Sequence, residues 1–458
     1  MVAIFGAAII VLFIVAVRLF GTDGIRGKFG QYPILPGFFS RLAWVMEVFF
    51  SEHLQRKHLK IVIGHDTRES GNVLKQALIA GFSRDVTVFD CGILPTPAVA
   101  YTVRKLGCDC GLSVTASHNL YFDNGVKIFN AQGEKLPINL ERNIETLLQT
   151  SAVNQKISGA NIVNYSADAR REFCTPFGGV EFHFDGRVVL DVANGAGVVT
   201  SPLILQKICK DLVVIGNEPN GKNVNTDCGS ENIGTLCSAV KKFSAAVGIA
   251  HDGDADRLVM VDENGIPVKG DQVIGIIAKY LSCKNRLKHN LVVVTEQSNF
   301  GLDDSLAKFS IGVIRCEVGD RSVYYSMLEQ DASFGGEESG HLILREFLNT
   351  GDAISAAVLV LKIMAESGLQ LSLLKTDISL LPQKLCNIQV RRKVPLHEIQ
   401  GFGELLNFLG KSEPDYGRVF ARYSGTEDKL RVLIEAKSEA AVDKILTCVR
   451  KFLGCRLV

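Results

Sequence analysis

The chain has 458 residues, too many for one ordinary core, and a prior of about 150 residues per domain puts it at about three or four domains. Its composition, 47% hydrophobic and 22% charged, is that of a globular protein rather than a disordered or fibrous one. A formal net charge of +1 provides no basic face for nucleic acid and no attraction to acidic lipid, so neither is expected as a partner.

Residues 2–17 carry no charged or polar side chain. As a helix they would span about 24 Å, short of the roughly 30 Å hydrocarbon core of a bilayer. No basic residue precedes them as in a signal peptide, and the first structural stretch, Arg18-Leu-Phe20, follows with no tether. A start codon placed too far upstream is the expected explanation and a hydrophobic anchor the alternative; membrane association is not expected. Twelve cysteines are scattered without any C-x-x-C, which reads as reduced thiols in a cytoplasmic protein.

The dominant pattern is a β-branched run, a polar or glycine turn, then a helical stretch. It occurs at Lys60-Ile-Val-Ile-Gly-His-Asp-Thr-Arg-Glu-Ser-Gly71, at Arg187-Val-Val-Leu-Asp-Val-Ala-Asn-Gly-Ala-Gly197 and at Leu291-Val-Val-Val-Thr-Glu-Gln-Ser-Asn-Phe-Gly301. Three such units predict three similar α/β domains with buried, mostly parallel strands. Boundaries are expected in the polar, irregular stretch 157–179, after the turn Asp262-Glu-Asn-Gly265, and near 371–379. Beyond the last, two strands at 417–421 and 430–436 and a final helix capped by Ser438 make an α+β terminal domain. The expected division is 18–165, 166–262, 263–375 and 376–458.

Within this frame the polar loops carry the chemistry. Gly21-Thr-Asp-Gly-Ile-Arg-Gly27 and Asp123-Asn-Gly-Val-Lys127 place Arg26 and Lys127 where a cation can meet phosphate. In Ser113-Val-Thr-Ala-Ser-His-Asn119, a strand over 111–115 leaves Ser117 in the turn after it, where ligands of α/β sheets gather. A turn serine bonding its own backbone is the plainer reading of that stretch alone. A hydrolase elbow is excluded, because Ala116 and His118 stand where G-x-S-x-G needs glycines. Gly216-Asn-Glu-Pro-Asn-Gly-Lys-Asn223 almost spells a P-loop, but Asn223 replaces the Ser or Thr and no helix follows.

Asp252-Gly-Asp-Ala-Asp-Arg257 follows an apolar run. Its three carboxylates at alternate positions point the same way in an extended loop and repel unless a cation sits among them. Magnesium takes oxygen ligands and keeps positions open for phosphate and water. A calcium loop is excluded, since Arg257 holds the sixth position, which must be glycine. Gly335-Gly-Glu-Glu-Ser-Gly-His341 offers carboxylates, a hydroxyl and an imidazole suited to sugar hydroxyls or an amine. In Arg422-Tyr-Ser-Gly-Thr426 a guanidinium can grip phosphate by two parallel bonds, beside hydroxyls and N–H groups that can form an anion nest. A solvated polar loop competes for each of these last two stretches.

In this order, from about Arg18 to the C-terminus, these loops resemble those of the α-D-phosphohexomutase family. The resemblance implies four domains, three of them alike, around a central cleft. It implies that Ser117 is the phosphoserine of the active enzyme and that Asp252, Asp254 and Asp256, with an oxygen on Ser117, bind one Mg2+ per chain. It assigns Glu337 and Ser339 to the sugar, and Arg422, Ser424, Gly425 and Thr426 to the non-reacting phosphate. Arg26, Lys127 and His341 become candidates for proton transfer and phosphate stabilisation. Phe20-Gly-Thr-Asp-Gly-Ile-Arg-Gly27, Asp123-Asn-Gly125 and the stretch ending at His341 lie nearest the members that act on glucosamine phosphate. The expected reaction interconverts glucosamine 6-phosphate and glucosamine 1-phosphate through a bisphosphate, with glucose or mannose phosphate as the alternative substrates. Leu120 and Tyr423 stand where that pattern has proline, and Glu338 where glutamine is usual.

Overall fold

The computed structural model of the protein describes residues 18–21, 23–150, 159–423 and 428–457. Residues 2–17, with the start-site reading that falls on them, lie outside these.

The three predicted β-branched runs become the central strands of three sheets. The first sheet is built from β1 (Ile25–Lys28), β2 (Leu59–His65), β3 (Val86–Ile93), β4 (Cys110–Val114), β5 (Asp123–Asn130) and β6 (Asn161–Asn164), in the order β1-β5-β4-β2-β3-β6. The second contains β7 (Phe184–Asp191), β8 (Cys209–Ile215), β9 (Val247–His251), β10 (Leu258–Asp262) and β11 (Pro267–Val268), in the order β11-β10-β9-β7-β8. The third contains β12 (Leu291–Thr295), β13 (Gly312–Cys316), β14 (Phe334–Gly336) and β15 (Leu342–Leu344), in the order β13-β12-β14-β15.

One plan underlies all three. The central strands β2, β7 and β12 each pair in parallel with both neighbours. Ile61, Val62 and Ile63, Val188, Val189 and Leu190, and Val292, Val293 and Val294 are all fully buried. Successive strand residues face opposite sides, so helices must cover both faces of each sheet, and alternation is lost from the sequence. After the second parallel neighbour the chain turns back antiparallel, as β4–β5, β9–β10 and β14–β15. The sheets are therefore mixed rather than purely parallel.

The fourth sheet is antiparallel, β16 (Gln383–Gln389), β17 (Tyr416–Tyr423) and β18 (Lys429–Ala436), in the order β16-β18-β17. The final helix Glu439–Leu457 packs on it, and Ser438 Oγ accepts from the N–H of Ala441 at 3.3 Å, as a cap should. The last domain has its own apolar core, whereas one continuous core runs through the first three.

Two expectations need correction. The stretch 157–179, expected as irregular, contains β6 and the helix Ser166–Cys174. All four residues of β6 are exposed on the sheet edge, so no apolar pattern marks it; the helix buries only Ala169, Phe173 and Cys174. The second sheet also continues past the turn at Asp262-Glu-Asn-Gly265, since β11 pairs with β10. Among the described residues no single helix is long and apolar enough to cross a membrane.

The first and third domains are locked by buried polar pairs. Lys135 bonds Asp320, the guanidinium of Arg321 holds both oxygens of Glu141, and the Tyr324 hydroxyl donates to Glu134 at 2.5 Å. Breaking a buried pair on one side leaves an uncompensated charge. Glu141→Ala is expected to cost about 3–5 kcal/mol, visible by calorimetry as a lower Tm for the transition of the joined domains. Removing the exposed Lys384–Asp443 pair should leave that transition where it is.

Candidate active site

Four chain reversals carry the predicted site. In each of the first three sheets it is the same one, the turn into the antiparallel strand. Residues 115–122 link β4 to β5, residues 252–257 link β9 to β10, and residues 337–341 link β14 to β15. In the fourth sheet the equivalent reversal runs from β17 to β18, and Arg422 stands near its start. Ser424, Gly425 and Thr426 lie outside the described residues.

The first two turns meet. Ser117 Oγ donates to Asp252 Oδ2 at 2.5 Å, across 135 positions of sequence. Asp252, Asp254 and Asp256 each offer a carboxylate oxygen within 4.8 Å of the others, and all three are buried. Thr96 Oγ1 donates to Asp254 Oδ2 at 2.5 Å. Lys127, on β5, reaches Asp254 Oδ2 at 2.7 Å and Asp256 Oδ2 at 2.5 Å. The expected phosphate-facing lysine is thus seated on the acidic triplet itself. Asp254 Oδ1 and Asp256 Oδ1 are buried and have no hydrogen-bond partner. An all-oxygen donor set with two unsatisfied buried carboxylate oxygens fits a hard divalent cation.

Burial, then Asp254 and Asp256, hold the Asp252 pKa well above the usual carboxylate value. Burial pulls Lys127 down, but Asp254 and Asp256 outweigh it and keep the ammonium charged. Burial raises Asp256 too, yet Lys127 and His341 outweigh it and bring its pKa to about 2. One ammonium therefore serves two of the carboxylates, and Asp252 is left to share the serine proton.

The third turn closes over the second. Leu258 N donates to Gly340 O at 2.9 Å, and Arg257 and His341 form an isolated antiparallel bridge. Gly340 has φ +90°, and a Cβ there would lie 2.0 Å from Leu258 O, so only glycine permits this approach. His341 Nε2 sits 3.3 Å from Asp320 Oδ2 and 3.7 Å from Asp256 Oδ2, and neither ring nitrogen is hydrogen-bonded. Burial lowers its pKa despite those carboxylates and so favours the neutral ring.

Glu337 Oε1 accepts from Gly319 N at 3.1 Å, and burial, with Asp320 beside it, raises its pKa to about 8. Thr295 Oγ1 donates to Glu338 Oε2 at 3.2 Å. The Ser339 hydroxyl is buried without a partner. Arg422 is half-buried; burial and Arg431 lower its pKa, while Glu338 and Glu337 act against them. Arg26 Nη2 bonds Asp23 Oδ2 at 2.6 Å, and Lys135 Nζ bonds Asp23 Oδ1 at 2.5 Å and continues to Asp320.

Sequence reasoning did not single out Asp23, Thr96, Lys135 or Asp320 as site residues. Only Asp23 lay within a quoted motif. The other three come from a helix start, the end of a turn and a second helix start, and nothing local distinguishes them.

Four family models match the chain in order. They are phosphoglucomutase/phosphomannomutase alpha/beta/alpha domain I over residues 17–155, domain II over 182–265, domain III over 269–379 and the C-terminal domain over 386–451. The chain belongs to the phosphoglucomutase/phosphomannomutase family. Similar family members include the phosphoglucosamine mutase of Campylobacter curvus, 39% identical over 448 residues and covering 95% of this chain and 98% of that protein. That of Nitratiruptor sp. is 39% identical over 455 residues, covering 96% of this chain and all of its own. Among solved structures, a phosphoglucomutase/phosphomannomutase family protein from Burkholderia thailandensis superposes with a TM-score of 0.77 at 20% identity, covering 96% of this chain and 97% of that one. Aspergillus fumigatus N-acetylphosphoglucosamine mutase, solved with GlcNAc-6P and magnesium, gives 0.64 at 18% identity, covering 95% of each chain. These likenesses show the shared four-domain fold.

A cation that binds only the folded triplet must stabilise it by linkage, by about 2.7 kcal/mol at a hundredfold excess over Kd. Thermal unfolding should therefore rise by a few degrees on adding Mg2+ to the chelator-treated protein. Asp254→Asn breaks the buried pair with Lys127, so it should lower the Tm of the metal-free protein, and it should lose the response to Mg2+.

Proposed function

We propose that this family member interconverts glucosamine 6-phosphate and glucosamine 1-phosphate, the phosphoglucosamine mutase reaction. The chain is an isomerase of the phosphohexomutase type, and relatives bearing the phosphoglucosamine mutase name match it over nearly its whole length. The observation that carries the mechanism is the 2.5 Å bond from Ser117 Oγ to Asp252. It sets the Ser117 hydroxyl against the one group of carboxylates, among the described residues, that can hold a metal ion.

In this reading the expected division, 18–165 with the phosphoserine turn, 166–262 with the metal turn, 263–375 with the sugar turn and 376–458 with the phosphate loop, holds except that the second domain extends through β11 to Val268. Ser117 carries a phosphoryl group, and Asp252, Asp254 and Asp256 hold one Mg2+ beside it. When bound, that ion supplies charge neutralisation for the phosphoserine, whose charge of about −1.5 to −2 three carboxylates alone would repel.

The substrate O1 attacks the phosphorus of phospho-Ser117. The bond to Ser117 Oγ breaks and that oxygen takes up a proton, while the new O1–P bond forms and the O1 proton leaves to a base. Neutral, buried His341 has a free nitrogen to accept it; Arg26 and Lys127 remain the cationic candidates that stabilise charge on the moving group. The bisphosphate turns end for end. Ser117 Oγ then attacks the 6-phosphate, O6 leaves with a proton returned to it, and glucosamine 1-phosphate is released. Glu337, whose pKa burial raises to about 8, and the unpartnered Ser339 hydroxyl offer hydrogen bonds to the sugar. Arg422, Ser424, Gly425 and Thr426 hold the phosphate that does not react. The dissolved sugar phosphate and the scattered thiols suit a cytoplasmic enzyme.

A phosphoglucomutase or phosphomannomutase activity is the second reading, favoured by Glu338 where glutamine is usual in glucosamine-specific members. Coupled assays of each hexose 1-phosphate separate the two: glucosamine 1-phosphate should be turned over faster, and a clear preference for glucose 1-phosphate would overturn the substrate assignment. Ser117→Ala should abolish turnover and leave Tm within a few degrees; an unchanged rate would remove Ser117 from the mechanism.

A further inference from the structure

Ser117 is held in a conformation that its own side chain does not favour. Its φ is +52°, in the left-handed region, where a non-glycine residue persists only if its surroundings impose it. Both of its backbone polar groups are held by one buried pair at the end of β2. Asp66 and Arg68 are 1% and 2% exposed, and Arg68 Nε donates to Asp66 Oδ2 at 2.8 Å. On the amide side, Thr115 Oγ1 donates to the same Asp66 Oδ2 at 2.7 Å and accepts from Ser117 N at 2.9 Å. On the carbonyl side, Arg68 Nη2 donates to Ser117 O at 2.9 Å and to Asn119 O at 2.7 Å. Its Nη1 donates to Leu120 O at 2.5 Å and to Asp123 O at 3.2 Å. A guanidinium has five N–H donors, and all five are engaged here.

The second domain adds one more grip on the same atoms. Asn225 Nδ2 donates to Ser117 O at 2.8 Å and to Asn119 O at 2.9 Å. Asn225 lies in the connection between β8 and β9, so it moves with the acidic turn and not with the serine.

We infer that Asp66, Arg68 and Asn225 are positioning residues that fix the backbone of Ser117 from both sides and aim its oxygen at the acidic triplet. Arg68 sets the turn on the frame of the first domain. Asn225 ties the turn to the domain that supplies Asp252. An oxygen that alternately loses and regains a phosphoryl group must return to one place each cycle, and a displacement of 1 Å in such geometry can cost about 10²-fold in rate. The inference rests on Ser117 being the phosphoryl carrier.

Two variants of the full chain test it. Arg68→Lys keeps the charge beside Asp66 but has too few donors for five bonds. Asn225→Gly removes the amide at a position whose φ is +58°, where glycine suits the backbone and folding should not suffer. The readouts are transfer of label from radiolabelled glucose 1,6-bisphosphate to Ser117, kcat, KM and Tm. Labelling and kcat should fall about 10²-fold in Arg68→Lys and about tenfold in Asn225→Gly, with KM little changed. The double variant should lose less than the product of the two, because both donors share the same carbonyls. Asn225→Gly decides alone if Arg68→Lys does not fold. Labelling at the wild-type rate in a folded variant, or a loss confined to Tm, would overturn the inference. A wild-type protein that takes no label at Ser117 would overturn the parent reading and this one together.

Discussion

Three buried carboxylates on one turn are the constraint around which the site is built. Desolvation disfavours their ionised form, and each disfavours ionisation of the others. Lys127 relieves Asp254 and Asp256, and the proton of Ser117 relieves Asp252. That balance suits the unmodified protein only. Phosphorylation of Ser117 replaces the donated proton with negative charge, and the arrangement then needs a cation. The two unpartnered oxygens, Asp254 Oδ1 and Asp256 Oδ1, are where one would be held.

The fold brings these groups together by repeating one connection. Each of the first three sheets runs its parallel strands and then turns back antiparallel, and each reversal carries one part of the chemistry. The turns that carry Ser117, the three aspartates and Glu337 to His341 are thus three versions of one structural position. Contacts between the turns register them: Ser117 on Asp252, and Leu258 N on Gly340 O. The rigid shared core of the first three domains supports this registry. The fourth domain has a separate core and touches the third through polar contacts such as Arg418 on the carbonyl of Ser298 at 2.7 Å.

What was legible in the sequence was what is local. The central strands show as β-branched runs because both faces are buried, and the acidic turn shows because its three carboxylates lie within five residues. Ser117 is less marked: alone, its stretch reads more plainly as an ordinary turn, and only the set of loops in order singles it out. Strand β6 was missed because a four-residue edge strand exposed throughout, Asn-Ile-Val-Asn, has no apolar period. The ring of charge from Arg26 through Asp23, Lys135 and Asp320 to His341 was missed because it joins separate elements. Pairing across that distance leaves no trace in spacing. Arg68 lay inside a quoted motif, yet its role depends on carbonyls some fifty residues away, which a side-chain pattern does not report.

The most direct measurement is crystallographic: locate Mn2+, standing in for Mg2+, by anomalous scattering in crystals of the protein phosphorylated on Ser117. The account predicts one peak within direct coordination distance of Asp252, Asp254, Asp256 and a phosphate oxygen on Ser117. A cation bound elsewhere, or one held by the aspartates with the phosphoserine turned away from it, would contradict the account.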